Sequence, residues 1–238
     1  MSAFWYGLQL QCRLDIRSKS LLITCYLVPL LFFVFVGSIF IALDPQAKQT
    51  LIPHMTVMGV SMGALIGVPP TLAEIYGSDI KGMYRANGVP LWMGLVNTVL
   101  SALVHLLVMS TLLCGMAVLL FDAPLPDRPL TYVGGLVLLV AVSLALGSVL
   151  GLAIQDQAKL TMISQLFFLP SILLSGILFP LELLPKALQQ AGMVFPAFWG
   201  GRLLTGVASW PQGALPLLAL FGGFVLCCAI LLRRMRRR

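Results

Sequence analysis

The chain has two histidines, His54 and His105, and eight carboxylates, and none of them stands in a spacing that performs hydrolytic or metal chemistry. No H-E-x-x-H places two imidazoles on one helix face, and no serine occupies the centre of G-x-S-x-G. The string nearest to a phosphate-binding loop runs from Gly77 to Gly82. It continues as Met83-Tyr84, where such a loop needs Lys and then Ser or Thr, so it cannot cradle a triphosphate. The five cysteines, Cys12, Cys25, Cys114, Cys227 and Cys228, form no C-x-x-C pair and read as small apolar residues. No catalytic, cofactor-binding or metal-binding residue is expected, and hydrolysis within this chain is not the reading.

Other polar and adaptable residues remain. His105 lies in the middle of an apolar run, where an ionisable side chain serves either as a relay or as a hydrogen-bonding contact to a neighbouring helix. No acidic partner stands at helical spacing from it, which favours the contact. Met55, Met58 and Met62 recur at helical spacing, and Phe167 and Phe168 stand together further on. Such residues fill cores and also line permissive paths. Gly59, Gly63 and Gly67 form a smooth stripe at four-residue spacing, and Ser143, Gly147 and Gly151 form a second. Stripes of this kind permit close helix approach, within the bundle or between subunits. Glu74, Asp79, Lys81, Tyr84 and Arg85 share one polar stretch with Tyr76, a composition suited to a partner rather than to a plain tether.

The elements that must position these residues follow from composition. The chain of 238 residues is 59% hydrophobic and 10% charged, whereas a soluble domain carries about 25% charge. The apolar residues come in long blocks, so the chain reads as a single all-α integral membrane domain, 1–238. Six spans are expected, at about 21–43, 51–73, 91–121, 132–154, 160–179 and 214–232. Residues 1–20 read as an amphipathic interfacial helix, with Phe4, Leu8, Cys12 and Trp5 on one face and Arg13, Asp15 and Arg17 largely elsewhere. The first apolar block is too long for a cleavable signal and lacks an A-x-A site. Residues 180–213 stay apolar after a break at Ser175-Gly176 and pass Pro180 and Pro185, so they read as a re-entrant hairpin before the last span.

Six spans put both ends on one side. With that side cytoplasmic, the inside carries Arg13, Arg17, Lys19, Lys81, Arg85, Lys159 and the five arginines among residues 233–238, eleven in all. The outside then carries four: Lys48, Arg128, Lys186 and Arg202. That asymmetry follows the positive-inside rule. The net charge of +7 is thus explained by topology and anionic lipid headgroups rather than by nucleic acid.

The break segment also carries a resemblance. Leu169-Pro170, Leu174-Ser175-Gly176, Phe179-Pro180 and Leu184-Pro185 are similar to the "P…LSG…FP…LP" signature of the membrane subunits of type-2 ABC exporters, the drug, polysaccharide and lipid efflux permeases. Phe195-Pro196 followed by Arg202 resembles that family's "NP…R" element, with Phe in place of Asn. Glu74, Gly82 and Pro90 fit its cytoplasmic-loop pattern loosely, with altered spacing and without the T-L-E core.

The resemblance implies a permease that works as a dimer, with a second copy of itself or a homologous permease. A separate cytosolic ABC ATPase would carry ATP and Mg, with none bound by this chain. It implies that residues 1–20 and the loop 74–90 dock on that ATPase, so Glu74, Asp79, Lys81, Tyr84 and Arg85 would couple. It also implies that the second and fifth spans line the path, with Met55, Met58, Met62, Phe167 and Phe168 as lining. Gly59, Gly63 and Gly67 would permit helix tilting, and Ser175, Gly176, Pro180 and Pro185 would shape an outer hairpin.

The function expected is export of an amphipathic drug, peptide or lipid-like cargo across a prokaryotic inner membrane. A stand-alone carrier or channel, or a membrane enzyme acting on lipids, is the alternative. The chain offers neither the paired charged mid-span helices of the first nor the polar constellation of the second.

Overall fold

The structure, a computed structural model, describes residues 3–77 and 80–237. Among them every regular element is helical. The first helix, α1 (Ala3–Arg17), leads into α2 (Lys19–Leu22), a π-helical turn (Ile23–Leu27) and α3 (Val28–Leu43). After a 3₁₀ turn at Pro45–Ala47, α4 (Lys48–Met62), a second π turn (Gly63–Gly67) and α5 (Val68–Gly77) form one interrupted rod. The short α6 (Ile80–Ala86) precedes the long α7 (Leu91–Phe121) and α8 (Pro129–Ala153). Then follow α9 (Gln157–Leu173), α10 (Lys186–Gly192), α11 (Pro196–Leu204) and α12 (Trp210–Arg237).

Five stretches are long and apolar enough to cross a membrane: Ile23–Leu43, Pro45–Gly77, Leu91–Phe121, Pro129–Ala153 and Trp210–Met235. The expected fifth span differs. Its helix ends at Leu173 rather than at 179 and has 17 residues, a rise of about 25 Å against a hydrocarbon core of about 30 Å. It ends there because the Ser175 hydroxyl donates to the Ile172 carbonyl at 2.7 Å and Gly176 turns the chain with φ of 81°.

Both π turns have one cause in the sequence. Each ends two residues before a proline, Pro29 in the first rod and Pro69 in the second. A proline offers no N–H and its ring crowds the carbonyl four residues back, so the ladder widens by a residue to relieve the clash. The two widened turns pack on each other: Cys25, in the first, lies against Gly63 and Gly67 of the second.

The second rod is the axis of the bundle. In its most apolar stretch 78% of residues are buried, against 17% for the first crossing helix and 11% for the last. Outer members of a membrane bundle face lipid, whereas an axis faces only protein. The segment 180–213 resolves into α10 and α11 rather than one loop, and α11 buries Phe198, Leu203 and Leu204 against α4, α8 and α12.

Candidate functional site

The glycines at 59, 63 and 67 face inward within the helix bundle. A Cβ at Gly59 would stand 2.8 Å from Met109 Cε, and one at Gly63 would overlap Leu106, both on α7. A Cβ at Gly67 would stand 2.9 Å from Cys25 Sγ. The opposite side of the rod meets the second stripe. A Cβ at Gly147 would collide with the Ala64 carbonyl, and one at Gly151 would stand 2.8 Å from the Pro69 carbonyl oxygen. Of the two uses open to such stripes, this structure employs bundle packing: the axis glycines receive the side chains of Met109, Leu106 and Cys25, and the α8 glycines meet the backbone of the axis.

Met55 and Met58 are fully buried in the main core, beside Ile52, Val57, Leu106 and Met109. Met62 is half-buried. Phe167 and Phe168, also half-buried, pack against the cluster of Leu65, Leu146, Leu150 and Leu160, and Phe167 meets Phe195 edge-on at 6.5 Å. The structure therefore separates the five expected path residues into a buried pair and three at the edge of the core.

At the end of the axis Tyr76 joins two helices. Its hydroxyl donates to the Leu91 carbonyl at 2.5 Å and accepts from the Leu95 N–H at 2.8 Å. Leu91 and Leu95 stand four apart in α7, so the hydroxyl engages the carbonyl and the N–H at the two ends of one helical rung. Gly94 makes room for this contact, because a Cβ there would stand 2.9 Å from the Tyr84 ring and 3.2 Å from the Tyr76 hydroxyl. The expected polar loop 74–90 is thus mostly helical and clamped to α7 by two tyrosines. Glu74 is exposed and Tyr84 half-buried. Asp79 lies outside the described residues, and Lys81 and Arg85 stand on α6.

Along α7 runs a buried polar face: Asn97, Thr98, Ser101 and His105. Asp15 of α1 is buried against it, 4% exposed, accepting from Ser101 Oγ at 2.5 Å and from Gln11 Nε2 at 2.9 Å. This corrects the placing of Asp15 away from the buried face. Asp15 follows Phe4 by eleven residues, which on a helix returns within about 20° of the same direction, so the signal was present in the spacing. His105 bonds Tyr26 of the first π turn, Nδ1 to hydroxyl, at 2.7 Å. Asn97 Oδ1, Thr98 Oγ1 and His105 Nε2 are buried without a hydrogen-bond partner.

In the hairpin, Ser175 is buried while Pro180 and Pro185 are exposed. Arg202 stacks its guanidinium 5.5 Å from the Phe198 ring centre. Near this end a cleft of about 800 Å³ is lined by Gln49, Arg128, Tyr132 and Trp210, among others. Among the described residues no three His, Cys, Asp or Glu side chains gather as metal ligands.

A family model described as ABC-2 type transporter matches residues 2–208 of this chain. No curated protein matches it.

Proposed function

The chain belongs to the ABC-2 type transporter family, and from that premise we propose that it is the permease of an ATP-driven exporter of amphipathic cargo. Membership makes it a multi-pass membrane permease domain, and the matched segment is a membrane part without an ATPase. Subunits of this family generally pair with ATPase subunits. The finer reading is a dimer of permeases with two ATPase chains that hold ATP and Mg. Both ends of the chain face the cytoplasm of a prokaryotic cell, and residues 157–173 make a short sixth crossing completed by the hairpin.

One observation carries the reading. The axis α4–π–α5 runs without a loop from the hairpin end of the bundle to the Tyr76 clamp, and it is gripped between glycine contacts on both sides. A push on the segment 74–90, through Glu74, Asp79, Lys81, Tyr84 and Arg85, would reach the far end through this one lever, bending at the widened turn Gly63–Gly67. π turns are common at such functional bends. Met62, Phe167 and Phe168, at the edge of the core, are the residues a path would meet first. Met55 and Met58 would join it only on repacking. The substrate class rests on that methionine and aromatic character.

The test is partnership. Expressed with an ATPase encoded beside it and purified through a tag on this chain, the permease should bring the ATPase with it, and transport into vesicles should require ATP. A purified chain that transports without ATP and retains no ATPase would establish the carrier reading instead.

A further inference from the structure

Asp15 is an unusual residue to find where it lies. A carboxylate out of water is costly unless a directed bond compensates it, and a helix that merely floats at the interface needs none. Yet Asp15 is buried on the side of α1 that meets α7, and both its oxygens are bonded, one by Ser101 Oγ at 2.5 Å and one by Gln11 Nε2 at 2.9 Å. Ser101 itself has no exposure. Two turns earlier on the same face of α1, Gly7 sits so close to α7 that a Cβ would stand 2.6 Å from Asn97 Nδ2. Gly7, Gln11 and Asp15 recur at four-residue spacing, so one stripe of α1 lies against Asn97 and Ser101 of α7. No cation is paired with Asp15 among the described residues.

We propose that the Asp15–Ser101 bond clasps α1 to α7 so that the two move as one body during coupling. Asp15 is then a positioning residue, touching neither cargo nor nucleotide. The reading rests on the proposed ATP-driven function: force applied to α1 at the membrane face passes through Ser101 into α7. From α7 it passes through His105 to Tyr26, and through Leu91 and Leu95 to Tyr76. A purely apolar contact would let α1 slide, because dispersion has no direction; a buried bond to a hydroxyl holds one register.

The test uses the full chain assembled with its ATPase in proteoliposomes, with the native cysteines replaced. Cysteine at exposed position 190 of α10 (Gln190→Cys) reports motion of the hairpin through its rate of labelling by an impermeant maleimide, with and without ATP. In a chain that also carries Asp15→Cys and Ser101→Cys, the reduced protein should lose at least tenfold of the ATP-dependent change in rate. The oxidised protein should recover to within about twofold of the parent. Equal responses in both states would overturn the clasp, as would loss of response on oxidation, which would mean that α1 and α7 must part. Where the disulfide does not form, the exchange Asp15→Ser with Ser101→Asp decides. Recovery relative to Asp15→Ser alone supports the clasp, and no recovery removes it. A parent that shows no response to ATP overturns the exporter reading together with the clasp, so the two failures are distinguishable.

Discussion

The hydroxyl of Tyr26 and Nδ1 of His105 lie 2.7 Å apart, with the rings edge-on at 5.8 Å. The bond ties the π turn of the first crossing helix to the middle of α7. His105 thus has the contact role that its lack of an acidic helical neighbour favoured. Removing one partner strands the other: Tyr26→Phe leaves a buried ring nitrogen unpaired, at a cost of about 1–2 kcal/mol. The double variant Tyr26→Phe/His105→Leu should cost less than the sum of the singles. Thermal unfolding in detergent measures the cycle, and strict additivity would show that the bond contributes nothing.

The glycine contacts give a graded prediction. Gly147→Ala drives a methyl into the Ala64 carbonyl, a backbone atom that cannot turn aside, whereas Gly63→Ala meets only the flexible end of Leu106. The first should destabilise by about 3 kcal/mol and the second by about 1–2 kcal/mol. Gly222→Ala has nothing within 4 Å and should be neutral, or more stable by up to about 1 kcal/mol from helix propensity. Melting curves of the three proteins check the order.

Gly176 holds φ of 81°, and a Cβ there would stand 2.7 Å from Leu181. A side chain at this position meets both backbone strain and a neighbour, so Gly176→Val should loosen the hairpin by about 2 kcal/mol or more. Limited proteolysis between residues 174 and 185 is the readout. Cleavage no faster than in the parent would show that the turn tolerates the change.

Topology is open to direct chemistry. In intact cells, Gln190→Cys should react with an impermeant thiol reagent, and native Cys12 should not. Residue 190 is the better probe than its neighbour Gln189, whose side chain is engaged with the Leu184 carbonyl. The opposite labelling pattern inverts the proposed orientation.

Coupling through the clamped segment predicts a separation of activities. Charge reversal at Asp79 and Arg85 together should leave the melting temperature within about 2 °C of the parent. It should also lower ATP-dependent transport at least tenfold while the ATPase still binds. Unchanged transport would take the segment 74–90 out of the mechanism.

Much of this architecture can be read directly from residue order. Long apolar blocks separated by short polar stretches leave a membrane bundle as the only way to satisfy the backbone. Prolines at 29 and 69 set where two helices widen, because a missing N–H acts locally whatever surrounds it. Ser175-Gly176 likewise ends α9 by local chemistry, and Gly176 adopts a backbone angle that suits glycine. What residue order left open is which faces meet. In water, apolar periodicity marks the buried face of a helix, but in a membrane, lipid and protein interior are equally apolar, so an apolar span carries no such mark. Only the tertiary structure turned the glycines of the axis onto α7 and the first π turn, set the glycines of α8 against the axis, withdrew Met55 and Met58 into the core, folded the polar stretch onto Gly94 through Tyr76 and Tyr84, and brought Asp15 to Ser101 across 86 positions of chain. Helix spacing could place Asp15 on a face of α1. The donor that makes its burial tolerable lies on another helix, and packing alone brings the two together.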